Sequence, residues 1–392
     1  VRISDREVHE KYEIAENSRT GKIDELIIHY TYDNIEQFLE KLNRYTSESA
    51  TQYMKEHKKS GIVKIYSKML FRFIRMYILQ LGFLDGYEGY LLAKYSSIYT
   101  MTKYTKLREQ YFRTLGKDTS LIVTTYNWPQ ALEICLNSVL RQTVLPKEII
   151  VADDGSRENT ASLVKKIKES NPNIKIEHSW QEDDGFRLSM SRNKAIAKTS
   201  GRYVIIIDGD LILERHFIQD HIENMENGYF IQGSRVIISE EKSKEILKGK
   251  LPVFPKVLFE KGYKNKANTV RSRLLSKIFA KKDKKLSGIR GCNMSFFRED
   301  LVKVNGFEEK IQGWGREDSE IAVRLFNNGI GKKRLKFGAL TYHIYHKEND
   351  RSGLAENDEF LAKVIKQGKK KAEKGLNDHE GCQFGNNELR KV

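Results

Sequence analysis

Cysteine, proline and long apolar runs are the scarce features of this sequence: three Cys, five Pro and no stretch of 18 apolar residues. Cys135, Cys292 and Cys382 lie far apart with no CxxC pairing, which excludes a disulfide scaffold and a structural zinc module and makes reduced thiols the expectation. Few prolines and 27 glycines in 392 residues exclude a collagen-like or globally disordered chain, so most of it is expected to fold. Without a long apolar run no transmembrane helix is expected, and no signal-peptide pattern opens the chain. The first residue is Val1 rather than Met, which suggests a processed or truncated protein. At about 150 residues per domain, this length predicts two or three domains.

What is abundant is positive charge, 69 Lys and Arg against 53 Asp and Glu, a formal net of +16. Residues 241–290 hold sixteen basic and four acidic side chains, so +12 of that net sits in one segment. No nucleic-acid-binding module accompanies the surplus. An anionic lipid surface or a phosphorylated substrate is therefore the expected partner, and nucleic acid is not.

Residues 1–113 carry a helical pattern rich in aromatic and basic residues. Within them, residues 68–81 are apolar on most faces and are broken by Arg72 and Arg75, one turn apart. Such a helix either lies in a membrane interface with its arginines reaching to phosphates, or is buried against a neighbour with the arginines at its edge. Residues 114–120 read as a linker. Beyond it the texture alternates: a β-branched run at 121–125, an amphipathic helix at 130–141, a strand at 148–152 and a helix at 158–170. That is a βαβ unit and hence a parallel sheet, whose ligands bind at the carboxyl ends of strands. A third buried strand, 203–207, follows. Residues 241–290 read as a basic, mobile flap with a helix-like stretch at 269–279. Residues 291–297 resemble a strand, 319–327 a helix, and 359–392 a polar, basic, loose tail.

Four motifs carry chemistry. Asp208-Gly209-Asp210 ends an apolar strand, and the glycine allows two carboxylates to close on a hard cation and a ribose. Asp153 and Asp154 end another strand on the same sheet edge; as an ordinary turn, Asp154 would accept from the amides of Ser156 and Arg157. Gly313-Trp-Gly-Arg-Glu-Asp-Ser-Glu320 opens a helix, and Asp318 and Glu320 suit its positive end. Capping leaves Trp314 unexplained, whereas an aromatic wall beside a carboxylate serves a sugar hydroxyl. Tyr342-His-Ile-Tyr-His346 adds two histidines three apart, a source of ligands for a transition metal.

In this order the motifs resemble inverting family 2 glycosyltransferases of the GT-A nucleotide-diphospho-sugar fold. Residues 121–127, 149–156 and 205–210 are similar to the nucleotide half. Gly313 to Asp318 resembles the acceptor half shared by β-1,4-galactosyltransferases and chondroitin polymerases, whose motif has Gly where this chain has Arg316. The resemblance covers 120–350. It implies an α/β fold with a mostly parallel sheet flanked by helices, occupying 121–358 after the helical N-terminal segment. It places Thr124, Tyr126 and Asp154 around a uracil, Arg187 near the base or phosphates, and Asp208 on the ribose. Asp210 with His346 and His343 would hold Mn2+ or Mg2+. Asp318 would be the catalytic base with Glu317 beside it, and Trp314 and Gly315 would meet the acceptor. Arg316 leaves the donor-sugar contact of that loop open.

The N-terminal segment has its own likeness. Arg6-Glu-Val-His-Glu10, His29-Tyr-Thr-Tyr32, Lys41-Leu-Asn-Arg-Tyr45 and Gly82-Phe-Leu-Asp-Gly86 resemble the C-terminal third of glucosyltransferases that extend the heptose inner core of lipopolysaccharide. The implied whole is the trailing part of a two-domain lipooligosaccharide glucosyltransferase whose first unit is catalytically dead. It would be peripheral on the cytoplasmic face of the inner membrane, taking a hexose, glucose, from a UDP-sugar to a glycolipid core acceptor. A capsule polysaccharide synthase using UDP-galactose or UDP-N-acetylhexosamine is the alternative, and a silent polyanion-binding protein a more distant one.

Overall fold

The computed structural model describes residues 34–252, 256–347 and 350–379, residue 21, and a two-stranded antiparallel ladder of Arg2–Ile3 with Tyr12–Glu13. The motifs at Arg6–Glu10 and His29–Tyr32, Cys382 and the end of the expected tail lie outside the described residues. The chain divides into two compact units, Val1–Thr114 and Leu115–Val392.

In the first unit, α1 (Ile35–Lys55) starts at Asn34, whose side chain accepts from the Gln37 amide at 2.9 Å, a standard N-cap. It packs on α3 (Gly86–Gly116): Phe38 meets Tyr95 edge-on at 5.2 Å, and Leu42, Ala50, Ala93 and Leu107 are buried. Between them α2 (Ile62–Ile74) buries only Ile65, then widens into a π turn at Arg75–Leu79 and a 3-10 turn at Gly82–Asp85. Leu70, Phe71, Ile78 and Leu79 are exposed, so nothing among the described residues covers this face of 68–81. Among the described residues no helix is long and apolar enough to cross a membrane. The expected linker is regular structure: α3 runs to Gly116 and the next strand starts at Thr119.

The second unit opens β1 (Thr119–Thr125), α4 (Pro129–Leu140), β2 (Glu148–Asp153), α5 (Glu158–Ser170), β3 (Lys175–Trp180), α6 (Leu188–Ala197) and β4 (Tyr203–Asp208). It continues with β5 (Leu211–Leu213), α7 (Phe217–Asn224), β6 (Tyr229–Gln232), β7 (Val236–Ile238), α8 (Glu240–Leu247), β8 (Tyr263–Lys264), α9 (Arg273–Phe279) and β9 (Lys281–Asp283). Last come β10 (Asn293–Phe297), α10 (Arg298–Lys303), α11 (Glu317–Asn327), β11 (Gly331–Arg334), β12 (Thr341–His343) and α12 (Leu354–Gln367). Eight strands form one sheet in the order β9-β11-β6-β10-β4-β1-β2-β3, with β1, β2, β3 and β4 parallel. Three of them, β1, β2 and β4, are apolar and buried along most of their length, whereas the edge strand β3 is polar and half exposed. The core gathers Ile122, Ile150, Val204, Ile206, Phe230, Phe296 and Leu325. A smaller sheet, β8-β7-β12-β5, stands beside the carboxyl end of β4.

Two segments differ from expectation. Residues 241–290 are not a loose flap: β8 pairs with β7 in the small sheet, β9 pairs with β11 at the edge of the large one, and Ile246, Val257 and Tyr263 are core residues. Helix α9 starts at Arg273 because Ser272 caps it, accepting from the Leu275 amide at 3.3 Å. Nor is the stretch after α12 loose as far as it is described. Leu376 enters the main core, and the Glu308 carboxylate accepts from the Glu373 amide at 2.7 Å. A few apolar anchors suffice to fix segments that are Lys-rich elsewhere.

Candidate active site

Register sets one side of the site. Pairing β1 with β4 puts Thr124 opposite Asp208, and the Thr124 hydroxyl donates to Asp208 Oδ1 at 2.9 Å. Gly209 follows with its amide on the Thr124 carbonyl at 2.7 Å; a Cβ there would come within 2.6 Å of that oxygen, so only glycine fits between the two carboxylates. These groups line an open cleft of about 1750 Å³ together with Tyr126, Asp154, Asp210 and Asp318.

The two acidic residues after β2 divide the work. Asp153 makes the turn: its Oδ1 accepts from the Ser156 amide at 2.8 Å and its Oδ2 faces His178 at 2.8 Å, while Asn127 Oδ1 takes the Arg157 amide at 2.9 Å. The capping role considered for Asp154 thus falls to its neighbours. Asp154 instead accepts from Gln181 Nε2 at 2.6 Å and the Arg187 amide at 2.9 Å, and burial pushes its carboxyl up to about 6. Tyr126, at the cleft mouth, donates to Asp183 at 3.0 Å. The Arg187 guanidinium meets the Glu182 carbonyl and the Asp184 carboxylate at 2.6 and 2.9 Å, and its Nε is buried without a partner. Its backbone N–H serves the site by holding Asp154.

A second cluster forms where β5 and β12 pair and His343 stands opposite Leu211. Asp210 Oδ2 lies 3.3 Å from His343 Nε2 and 3.4 Å from His346 Nε2, and one ligand atom from each of the three falls within 4.8 Å of the others. Three observations fit a divalent ion. Asp210 Oδ1 is buried without a hydrogen-bond partner. Burial, with Arg235 and His346 nearby, holds His343 down at about 3, hence a neutral imidazole. His346 Nδ1 meets the Lys347 carbonyl at 2.6 Å; a carbonyl only accepts, so Nδ1 carries a proton and in the neutral ring Nε2 is the nitrogen with the lone pair. One carboxylate with two imidazoles suits a first-row transition ion.

The opposite side of the cleft is the turn before α11. Gly313, Gly315 and Arg316 all have positive φ, +73°, +102° and +79°, which projects Trp314 into the cleft and lets Glu317 and Asp318 open the helix. The Arg351 guanidinium lies 4.8 Å from the Trp314 ring. Asp318 Oδ2 accepts from the Gly291 amide at 2.9 Å and its Oδ1 from the Ser319 hydroxyl at 3.1 Å. Burial and the neighbouring Asp318 push Glu317 up to about 7 against the pull of Arg192.

Arg316 occupies a left-handed position, which explains a glycine at this place in the motif. Its side chain is tied to Asp358 on α12. The backbone cost of roughly 1–2 kcal/mol is relieved by glycine, and an exposed ion pair returns at most about 1 kcal/mol. Arg316→Gly should therefore change stability by less than about 1 kcal/mol, while the β-branched Arg316→Val should lower it clearly. Thermal unfolding of both decides: equal losses would mean that the ion pair, not the dihedral, matters.

Arg192 on α6 escapes a reading of motifs. It is 1% exposed, with Nη2 3.4 Å from Asp208 Oδ1 and Nη1 3.3 Å from Glu317 Oε1, and so joins the two sides of the cleft. The available signal was a helix without an apolar stripe, in which Ser189, Ser191, Arg192 and Asn193 are all buried.

A large mixed sheet with ligand-facing carboxylates at its parallel strand ends, preceded by a helical segment, is a GT-A-like glycosyltransferase fold. Residues 120–304 match the family described as Glycosyl transferase family 2, and residues 275–347 match the one described as N-terminal domain of galactosyltransferase. The second unit is thus similar, over residues 120–347, to family 2 glycosyltransferases and, toward its end, to galactosyltransferases. Among curated proteins it is similar to chondroitin synthase of Escherichia coli, 29% identical over 57% of this chain and 34% of that protein. Validoxylamine A glucosyltransferase of Streptomyces hygroscopicus subsp. limoneus is 26% identical over 62% of this chain and 56% of that one. The chain spans about a third of the length of the chondroitin synthase it matches. A solved structure of S. aureus TarS 1-349 in complex with UDP superposes with TM-score 0.42 at 18% identity, covering 67% of this chain and 68% of that one.

Proposed function

We propose that this chain is an inverting glycosyltransferase that moves a hexose, glucose, from a UDP-sugar to a heptose or other sugar of a lipooligosaccharide core. The observation that carries the transferase reading is the convergence, in one cleft, of the Thr124–Asp208 pair, the Asp210–His343–His346 cluster and the Trp314–Asp318 turn. Asp208 with Thr124 receives the ribose, and Asp154 and Tyr126 flank the base. Trp314 and Gly315 present a flat wall to the acceptor ring. Asp318 takes the proton of the acceptor hydroxyl as its oxygen bonds to the anomeric carbon, opposite the departing diphosphate, which inverts that centre. Asp210, His343 and His346 would hold Mn2+ or Mg2+, whose charge offsets that of the leaving diphosphate. Lys347 and Arg351 on the acceptor side favour an acceptor that carries negative charge.

The lipooligosaccharide assignment rests on the likeness of the N-terminal segment. The capsule synthase alternative is supported by the chondroitin synthase relative. UDP release from a panel of UDP-sugars with Mn2+, with and without a heptose-containing acceptor, separates them. Heptose-stimulated release from UDP-glucose supports the first; stimulation confined to UDP-galactose or UDP-N-acetylhexosamines with a polysaccharide acceptor moves the assignment to the second. No release from any donor would sink the transferase reading.

The same reading places the enzyme on the cytoplasmic face of the inner membrane, held by the first unit. Helix α2 has no acidic residue and carries Lys64, Lys68 and Arg72, with Arg75 next. Val63, Leu79 and Leu84 beside them are 83%, 67% and 71% exposed. A bilayer of anionic lipid suits that pairing at about 1 kcal/mol per basic residue. Co-sedimentation with vesicles containing phosphatidylglycerol should fall at least about tenfold in Leu79→Glu/Leu84→Glu. Equal binding to purely zwitterionic vesicles would rule the surface out.

A further inference from the structure

Arg235 helps to keep His343 neutral, and no contact with a ligand has been assigned to it. It stands one residue ahead of β7, where Val236 pairs with Tyr342, the neighbour of His343. Its Nη1 lies 3.5 Å from the Cys292 thiol, and the Cys292 carbonyl accepts the Asp208 amide at 3.3 Å. The guanidinium is thereby held over the seam between β4 and β10, on the cleft wall beside Asp208, Asp210 and His343. Its donors are nearly unspent. Nε is buried without a partner, and among the described residues the Cys292 sulfur is the sole hydrogen-bond acceptor its side chain has. Sulfur is a weak acceptor, whereas the guanidinium is a planar fork of five donors matched to carboxylate or phosphate.

A half-buried cation without a carboxylate partner is costly unless something that visits the site completes it. The nearby Asp208 is taken up by Thr124 and Arg192, while Asp210 faces the two histidines and feels the charge of Arg235 without hydrogen-bonding it. We propose that Arg235 binds the diphosphate of the nucleotide-sugar donor directly, as a second cationic group beside the Asp210–His343–His346 cluster. This rests on the transferase reading above. In the displacement, the acceptor oxygen forms its bond to the anomeric carbon while the bond from that carbon to the diphosphate oxygen breaks. The electron pair leaves with the diphosphate, the acceptor proton goes to Asp318, and Arg235 hydrogen-bonds the oxygens that gain charge.

The bland alternative is a counter-charge that merely steadies two carboxylates. Calorimetric titration of the full chain with UDP and with uridine, in Mn2+ and in EDTA, tells the two apart, because uridine lacks the phosphates. Arg235→Gln should bind UDP about 10- to 100-fold more weakly and uridine as before, with Arg235→Lys between them. In EDTA the wild type should still prefer UDP over uridine, and Arg235→Gln should lose that preference. Equal losses for UDP and uridine, or no loss for UDP, would overturn the proposal alone. A wild type without any preference for UDP over uridine in Mn2+ would overturn the transferase reading with it.

Discussion

Asp318→Asn should lower turnover by about 10²- to 10⁴-fold, the usual worth of a positioned general base, with UDP binding close to that of the wild type. The substitution is nearly isosteric. With its oxygen turned to the Gly291 amide that Oδ2 now receives, the new amide presents its NH2 to the Ser319 hydroxyl, which can accept instead of donating to Oδ1, so the turn before α11 should keep its shape. What is lost is the capacity to hold a proton. Glu317 sits next in sequence and could be thought a substitute, but its Oε1 faces the Arg192 guanidinium at 3.3 Å and burial already drives it toward the protonated form, up to about 7. A base must arrive empty. Rates of UDP formation together with UDP titration test the assignment: near-normal turnover in Asp318→Asn would remove Asp318 from its role, and a joint loss of rate and UDP affinity would mean that the substitution had disturbed the cleft.

The second large effect is expected at Asp210. Asp210→Asn should weaken divalent-ion binding by more than about 100-fold, beyond the 10- to 100-fold typical for losing an outer partner of a ligand, and UDP affinity in Mn2+ should fall to the level seen in EDTA. The fold should not suffer. Asp210 is a carboxylate forced into a buried position, its Oδ1 has no partner, and burial together with Asp208 raises its pKa, so an uncharged amide is easier to bury there. A thermal midpoint equal to or above that of the wild type, alongside the lost metal response, is the expected pair of results. A variant that still binds UDP in a metal-dependent way would move the ion away from this cluster.

Sequence and structure agree where chemistry is written as strand-end punctuation. Thr124, Asp154 and Asp208 follow β-branched runs, and a parallel sheet necessarily brings the carboxyl ends of β1, β2 and β4 to one edge. The two histidines were legible through their spacing, because β12 and the turn after it return Nε2 of both to Asp210. Arg192 and Arg235 were not, for a physical reason: each works through sheet register and helix docking rather than through neighbours in sequence. Arg187 stands out in sequence by its charge, whereas the part its backbone amide plays in holding Asp154 shows only in the fold. The segments at 241–290 and after α12 misled because composition averages over a stretch, whereas Ile246, Val257, Tyr263 and Leu376 decide singly whether it folds onto the core.

Arg192 has a thermodynamic consequence. One buried guanidinium touches Asp208 on the donor side and Glu317 on the acceptor side, so a ligand that alters the first contact alters the electrostatic setting of the second. Linkage makes such an influence mutual: if donor occupancy shifts acceptor affinity by some factor, acceptor occupancy shifts donor affinity by the same factor. Ligands bound on the two sides of Arg192 would therefore not be independent guests, and substitutions at Asp208 and Glu317 belong to one energetic unit whose effects will not simply add.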